Sequence, residues 1–539
     1  MGHLRITLFV LLLSFVLGPL NAVESEIDHS WSIAIEPRLP VAGDPVQVRL
    51  LGGKEADPGL WGTGKLTVTD SSGQELLLQA DSGAEQIAFS WTPEQTGYFQ
   101  LQWEPDDGGD VLRMEVPVVW QSLYFLTYPS ITKEEADRYP LLASTVLVKS
   151  LEDNKFWQER GNRVLTPVNY RRKRQLNPEL SDQENVDFLV ERWSQPLEAG
   201  SDGIWLDELT AYPDEIGLWS IGIENQALLE LREKYPNKML SSAVGGHILR
   251  ESSTGHKTAG ALVASEFYGE FHGAVHATHS LEKHLAIRIE AMRGTDLLFE
   301  RGYQVEESAP SSWRQHGGII LLSTNYVGGG IYEEPAVDRM AYFVKLIKSM
   351  APEMPGIGFW SHGRTRDVMV SAGFYQASED LARQYYVDPV IDLGPVFFGM
   401  ERARVGESVP INFEISNIGG MKSDGFTVNI YSKSSAGMVE LIQQVAIDEV
   451  DVGFSLLKNE SSMVTTTNAF GNTYTLAPNS KVLALKSRQT HSVVWQPKSE
   501  GYYEIIVEVD PRLNATLLNG RSTMSVAVGP QNTEVDRVQ

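Results

Sequence analysis

Two acidic strand ends carry the chemistry open to this sequence. The stretch Asp202-Gly203-Ile204-Trp205-Leu206-Asp207-Glu208 finishes an apolar run on two carboxylates, and ALVASEFYGE finishes another on Glu266, with Glu270 four residues on. Carboxylates in different environments can divide acid–base work: one protonates a departing oxygen while the other supports an oxocarbenium-like carbon. Breaking a glycosidic bond needs both roles. A separation of about 5–5.5 Å favours retention of configuration and ~6.5–9.5 Å favours inversion. In a regular strand Ile204 and Leu206 share one face and Trp205 and Asp207 the other, so Asp207 and Glu208 are expected to point apart. Glu208 then either lines the mouth or pairs with a neighbouring loop.

Aromatic residues recur at the same kind of position. Tyr128, Tyr170, Trp205, Tyr212, Tyr268, Tyr326 and Trp360 stand at or just after candidate strand ends, beside Asn325 and His362. Sugar rings present apolar C–H faces that stack on such side chains, so these residues are the substrate-binding candidates. Core or loop packing is the alternative for each one. Tyr170 opens the basic run Arg171-Arg172-Lys173-Arg174, which reads equally as a solvated loop and as a contact for an anionic glycan. Six of the eleven histidines (His247, His256, His272, His276, His279 and His284) fall between 247 and 284. His-Gly-Ala-Val-His lacks the glutamate of H-E-x-x-H, so a metalloprotease is not indicated. A metal-dependent hydrolase built on this cluster stays a second alternative. The expected complement is no metal and no cofactor, since Gly328-Gly329-Gly330 lacks the Lys and Ser/Thr of a phosphate loop.

The elements that must position these groups follow from hydrophobic pattern. Nine strand candidates lie between Gln121 and Leu393: LYFLTY from Leu123, STVLVK from Ser144, RVLTPVNY from Arg163, DGIWLDE from Asp202, KMLSSAVG from Lys238, ALVASEFYGE from Ala261, LLFERGY from Leu297, GIILLSTNY from Gly318 and GIGFWSHG from Gly356. Helical stripes run between them, such as Val186-Leu189-Val190-Trp193, Leu281-Leu285-Ile289-Met292 and Met340-Phe343-Ile347-Met350. Alternating strands and helices over ~250 residues lead to the expectation of a central (β/α)8 TIM barrel at 121–393, with LLFERGY set aside as the ninth candidate. A doubly wound open sheet is the structural alternative. Outside this segment the chain repeats itself. Trp91-Thr-Pro93-Glu-Gln-Thr-Gly97-Tyr98 and Trp495-Gln-Pro497-Lys-Ser-Glu-Gly501-Tyr502 share one spacing, and VAGDPVQVRL from Val41 matches RVGESVPINFEI from Arg404. Two β-sandwiches are expected to flank the barrel, at 24–120 and 394–530, with a disordered tail at 531–539.

Composition sets the outer limits. The 539 residues carry a net charge of −25 and contain no cysteine. Wholesale phosphate neutralisation, hence a nucleic-acid partner, is disfavoured. Disulfides, thiolate catalysis and Cys-ligated metals are excluded. Residues 1–22 combine a basic start, an apolar stretch from Leu8 to Leu17 and a small residue at Ala22, as a secretory signal does. A secreted or periplasmic protein without a membrane span after signal removal is expected.

Two resemblances add to this. DGIWLDEL resembles the fourth-strand motif of retaining α-glycosidase barrels, whose stretch ends in the nucleophilic aspartate. That resemblance implies Asp207 as nucleophile, and Glu266, ending the sixth candidate strand, as acid/base. The sequence departs from cellulase-like barrels in lacking their Asn-Glu pair, and the eighth strand ends on Trp360, Ser361 and His362 without an acid. The C-terminal module resembles CARDB-type immunoglobulin-like domains through VGESVPINFEISNIGG and WQPKSEGYYEIIVEVDPRLNA, which implies an adhesion or spacer role and contact with a cell surface or polysaccharide. The expectation is an exported glycoside hydrolase acting on a carbohydrate. The alternative from another class is a non-catalytic carbohydrate-binding or adhesion protein.

Overall fold

The structure is a computed structural model. It describes residues 32–51, 63–80, 87–128, 145–168, 176–209, 215–244, 262–268, 318–323, 337–360, 374–458, 464–467, 473–476 and 481–530, apart from isolated positions within them, together with Glu282, Leu285 and Ile289. The expected signal segment, the tail at 531–539, LLFERGY and the clustered histidines lie outside the described residues.

Among the described residues the first module contains seven strands: β1 (Ser32–Glu36), β2 (Val46–Leu51), β3 (Gly64–Thr69), β4 (Glu75–Leu78), β5 (Ala88–Trp91), β6 (Gly97–Pro105) and β7 (Leu112–Val118). They form two antiparallel sheets, β1-β2-β5 and β4-β3-β6-β7. Alternation decides which side chains enter the core. Along β2, Val46, Val48 and Leu50 are buried, and along β6 Phe99, Leu101 and Trp103. These residues form one apolar cluster between the sheets.

Eight strands follow: β8 (Tyr124–Tyr128), β9 (Thr145–Leu147), β10 (Arg163–Val168), β11 (Gly203–Leu209), β12 (Met239–Val244), β13 (Leu262–Tyr268), β14 (Gly318–Ser323) and β15 (Gly356–Trp360). They pair in parallel in chain order and close on themselves, β15 against β8. Each lies within one of the apolar runs named above. The expected (β/α)8 architecture is nevertheless corrected. Among the described residues five α-helices are present, at Asn154–Glu159, Asp182–Glu198, Glu215–Lys234, Val337–Met350 and Phe374–Ala382. They do not make a ring of eight strand–helix units, and most described elements are β-strands. The reason is visible between β9 and β10, where a 3-10 turn (Leu151–Asp153) and a six-residue helix replace a full crossover helix. Amphipathic stripes mark helices only where a long segment lays one face on the sheet, as Val186, Leu189 and Trp193 do from Asp182–Glu198 and Met340, Phe343 and Ile347 do from Val337–Met350. Ser181 starts the first of these with a complete capping box to Glu184.

Among the described residues the C-terminal module has two five-stranded sheets and two two-stranded ones. Pairing is antiparallel except where Val390–Leu393 meets Thr516–Asn519 and Ala403–Arg404 meets Arg521–Gly529 in parallel. The core includes Val409, Ile411, Phe413, Trp495, Ile505 and Val507. The sequence repeat is structural. Val46 pairs with Trp91 and Val409 with Trp495. Gly97 pairs with Val118 and Gly501 with Val528. Gly43 N donates to Pro93 O at 2.7 Å, and Gly406 N donates to Pro497 O at 2.8 Å. Both tryptophans meet the ring after the Gly-Tyr pair edge-on, Trp91 on Phe99 at 5.0 Å and Trp495 on Tyr503 at 5.1 Å.

The modules meet around the π-helix Arg383–Val387 and the turn Gly419-Gly420. Trp120 N donates to Gly420 O and its Nε1 to Gly419 O. A Cβ on either glycine would come within 2.1–2.3 Å of backbone oxygens of Asp388 or Tyr386, so glycine is required for this close approach. Tyr98 donates to Asp388, and Arg383 Nη1 donates to Tyr98 at 3.2 Å and to Glu115 at 3.4 Å. Burial raises the Asp388 carboxyl above its ordinary range, and burial followed by the Asp388 contact raises the Tyr98 phenol.

Candidate functional site at the carboxyl ends of the barrel strands

The inner face of the barrel is fixed by one outer contact. Phe125 of β8 meets Tyr386 of the flanking π-helix, ring centroids 6.0 Å apart. Phe125 therefore faces outward, and alternation assigns the positions of Tyr124, Leu126 and Tyr128 to the inner face. Parallel register carries that assignment round the barrel in both directions. Leu126 aligns with Gly358, Gly358 with Leu321 and Leu321 with Glu266. On the other side Leu126 aligns with Thr145, Leu147 with Leu165, Leu165 with Gly203, and Trp205 with Ser241. Ser241 aligns with Leu262, which stands four residues before Glu266 on the same alternating set.

The register also changes the relation of the two adjacent acids. Leu206 pairs with Ser242, but Leu209 pairs with Val244. Asp207 and Glu208 thus stand together opposite the single residue Ala243, as in a β-bulge, and the strict alternation expected from the sequence does not hold at this point. Bulges end or redirect regular pairing, and their hydrogen-bonding demands depend on the partner strand. Ala243 in turn aligns with Ala264, two residues before Glu266. The backbone positions of the Asp207–Glu208 pair and of Glu266 are therefore separated by two strand spacings, about 10 Å, and by about two residues, ~7 Å, along the strands. The side chains of these three acids lie outside the described set.

Of the aromatic candidates, Tyr128 and Trp360 align with each other at the carboxyl ends of β8 and β15, and Tyr268 aligns with Ser323 at the ends of β13 and β14. Tyr170, Tyr212, Asn325, Tyr326 and His362 lie outside the described residues. Trp205 is walled in rather than presented to a ligand: it is 1% exposed and its Nε1 has no hydrogen-bond partner. Its register neighbour Ser241, fully buried, also has an unpartnered Oγ. Sequence reading passed over Ser241, although two serines interrupting the apolar run of β12 were a usable signal.

The opposite end of the barrel is closed by hydrogen bonds. Asp202 accepts from Val164 N at 2.9 Å and from Gln158 Nε2 at 3.1 Å. Ser201 Oγ contacts Thr166 Oγ1 at 2.6 Å and accepts from Asn154 Nδ2 at 2.8 Å, while Lys238 Nζ donates to Ser201 O. These bonds pair the hydroxyls of Ser201 and Thr166 and the Asn154 amide nitrogen, leave Asn154 Oδ1 without a partner, and fix where β10 and β11 begin. No group of three or more His, Asp or Glu residues suited to a metal ion occurs among the described residues. No helix among them is long and apolar enough to cross a membrane.

Comparison with known proteins gives a local family match and distant structural likenesses. No curated protein matches the chain. The CARDB domain of a Pyrococcus furiosus protein, solved in complex with di-metal ions, is similar at 17% identity over 27% of this chain and 91% of that one, with a TM-score of 0.16. A calcium-binding mutant of Bacteroides uniformis β-glucuronidase 2 is similar at 10% identity and a TM-score of 0.31, over 93% of this chain. This chain spans 61% of that enzyme's length. A Paenibacillus cycloisomaltooligosaccharide glucanotransferase is similar at 8% identity, over 86% of this chain and 68% of that one, with a TM-score of 0.30. These values are too low to assign a fold or an activity. At the level of sequence, residues 391–515 match the CARDB family, as the resemblance of the C-terminal module implied.

Proposed function

We propose that this protein is an exported glycoside hydrolase that uses carboxylates at the carboxyl ends of β11 and β13 on an oligo- or polysaccharide. The observation that carries this reading is the register of the barrel. The reading is supported by a register in which the Asp207–Glu208 pair falls opposite Ala243 and Ala243 aligns with Ala264, two residues before Glu266, which is 59 and 58 residues on in the sequence. Backbone positions about 10 Å apart across the sheet and ~7 Å along it are compatible with two carboxylates acting on one glycoside. In this reading Asp207 attacks or supports the anomeric carbon, Glu266 protonates the departing oxygen, and Glu208 shares the bulge with Asp207. Tyr128, Tyr268 and Trp360 supply stacking surfaces at the same end. The sandwiches contribute attachment to a cell surface or polymer.

The test is reducing-sugar release from a panel of polysaccharides by the wild type, Asp207→Asn, Glu208→Gln and Glu266→Gln. Loss of a catalytic carboxylate is expected to lower turnover by at least ~10²-fold. Full turnover in both Asp207→Asn and Glu266→Gln sinks the assignment. Binding without turnover on every substrate favours the adhesion alternative.

A further inference from the structure

A cavity of about 610 Å³ lies between the first sandwich and the barrel, and none of the acids of β11 and β13 lines it. Its walls come from β1 and β7, the free edges of the two sheets of the first sandwich, and from the barrel helix Phe374–Ala382 with Arg383. The volume falls within the ~300–1,000 Å³ of small-molecule sites. Three guanidiniums line it, those of Arg38, Arg113 and Arg383, and three carboxylates, those of Glu115, Glu379 and Asp380.

Charge balance narrows what can bind. An anion drawn to the arginines meets three carboxylates, and a cation drawn to the acids meets three guanidiniums, so neither sign gains a net field. Within the cavity the charges are already engaged with each other or with neighbours. Arg383 reaches Glu115 at 3.4 Å, Gln376 Nε2 donates to Asp380 at 2.9 Å, and Arg113 Nε donates to Gln102 at 2.9 Å. A wholly apolar ligand would desolvate these groups without replacing their hydrogen bonds. A neutral polyol has neither difficulty. Each hydroxyl donates to a carboxylate and accepts from a guanidinium, and vicinal hydroxyls match the two-pronged geometry of both groups. The C–H faces of the same ligand suit Ile33, Leu112 and Met114, which share the lining.

We infer that this cleft between the first sandwich and the barrel is an accessory binding site for a short, uncharged oligosaccharide segment. It is distinct from the acids of β11 and β13. The choice of a sugar rather than another polyol rests on the carbohydrate reading above, but the cleft and the mouth fail separately.

Titration calorimetry of the full chain with maltohexaose, cellohexaose and xylohexaose tests this, with trigalacturonate and spermidine as anionic and cationic probes. Arg113 and Gln376 are exposed, so Arg113→Ala and Gln376→Ala keep the fold. Each is expected to weaken binding of a neutral hexaose at least tenfold while leaving turnover unchanged, and Asp207→Asn is expected to leave that binding within twofold. Three results overturn the proposal: no neutral hexaose binds, its binding is insensitive to both cleft variants, or only trigalacturonate or spermidine responds to them. Turnover abolished by Asp207→Asn with cleft variants silent removes the accessory site and leaves the hydrolase. Hexaose binding lost in the cleft variants, with no turnover on any substrate, does the reverse.

Discussion

The two sandwiches carry the same W-x-P-x-x-x-G-Y motif in the same local structure, yet they use its tyrosine in opposite ways. Tyr98 is packed into the joint between modules, bonded to Asp388 and Arg383, and Lys422 N donates to the neighbouring Thr96 at 3.1 Å. Tyr502, its counterpart, is 73% exposed. The tryptophan, the proline carbonyl and the glycine before each tyrosine do the same work in both copies. The motif thus builds a strand entry, and whether its tip becomes an interface depends on what lies opposite.

That comparison can be broken at several points. Trp91→Ala and Trp495→Ala remove equivalent buried rings, 5% and 6% exposed, and each is expected to cost about 3–5 kcal/mol. Calorimetry should show separate transitions shifting, one for each module, since a chain of this kind need not unfold in one step. Equal loss from one shared transition would show that the modules unfold together.

The joint that receives Tyr98 also holds Lys348, which is 3% exposed, donates to Pro352 O and lies 4.5 Å from the Tyr386 ring centre. Burial draws its ammonium down to about 7, partly opposed by Glu353. An unfolded lysine keeps its proton to about pH 10.4. Between pH 7 and 10.4 the unfolded chain therefore binds more protons at this site, and its contribution to stability rises with pH. Lys348→Met is expected to gain least over the wild type at high pH and most near neutrality, the difference changing by about 2 kcal/mol between pH 7 and 9. A pH-independent difference in melting temperature would contradict this.

Gly97 and Gly501 adopt φ of 145° and 135°, and a Cβ at either would meet nothing within 4 Å. Alanine at each should cost about 1–3 kcal/mol from backbone strain alone, with the same value in both copies. Denaturant melts of the two variants compare them directly.

The tyrosines should differ. Tyr98→Phe removes hydrogen bonds to charged partners and is expected to lower stability by about 1–3 kcal/mol. Tyr502→Phe, on an exposed position, is expected to stay within ~0.5 kcal/mol. Equal effects in denaturant melts would mean that the docked contact adds nothing.

The barrel shows the same division between local pattern and tertiary setting. Each of its strands lies in an apolar run legible in the sequence, because a strand buried on both faces must be continuously apolar. How many crossovers are helical was not legible, since strand-like runs count strands and say nothing of what joins them. Trp205, a ligand candidate from sequence, is 1% exposed, at a position in register with Ser241 on the inner-face set of the closed barrel, a setting that the pattern of one strand does not reveal.

What the sequence by itself determined was composition, the cysteine-free chemistry, the positions of the strands, the internal repeat and the acids that end β11 and β13. These depend on residue type and on spacing along one chain. Tertiary structure alone decided that Asp207 and Glu208 share a bulge opposite Ala243, that Glu266 stands on the inner-face set, and that Tyr98 is half-buried and bonded to Asp388 while Tyr502 is exposed. Register and docking are set by the partner strand or module, which alternation within a single segment does not encode.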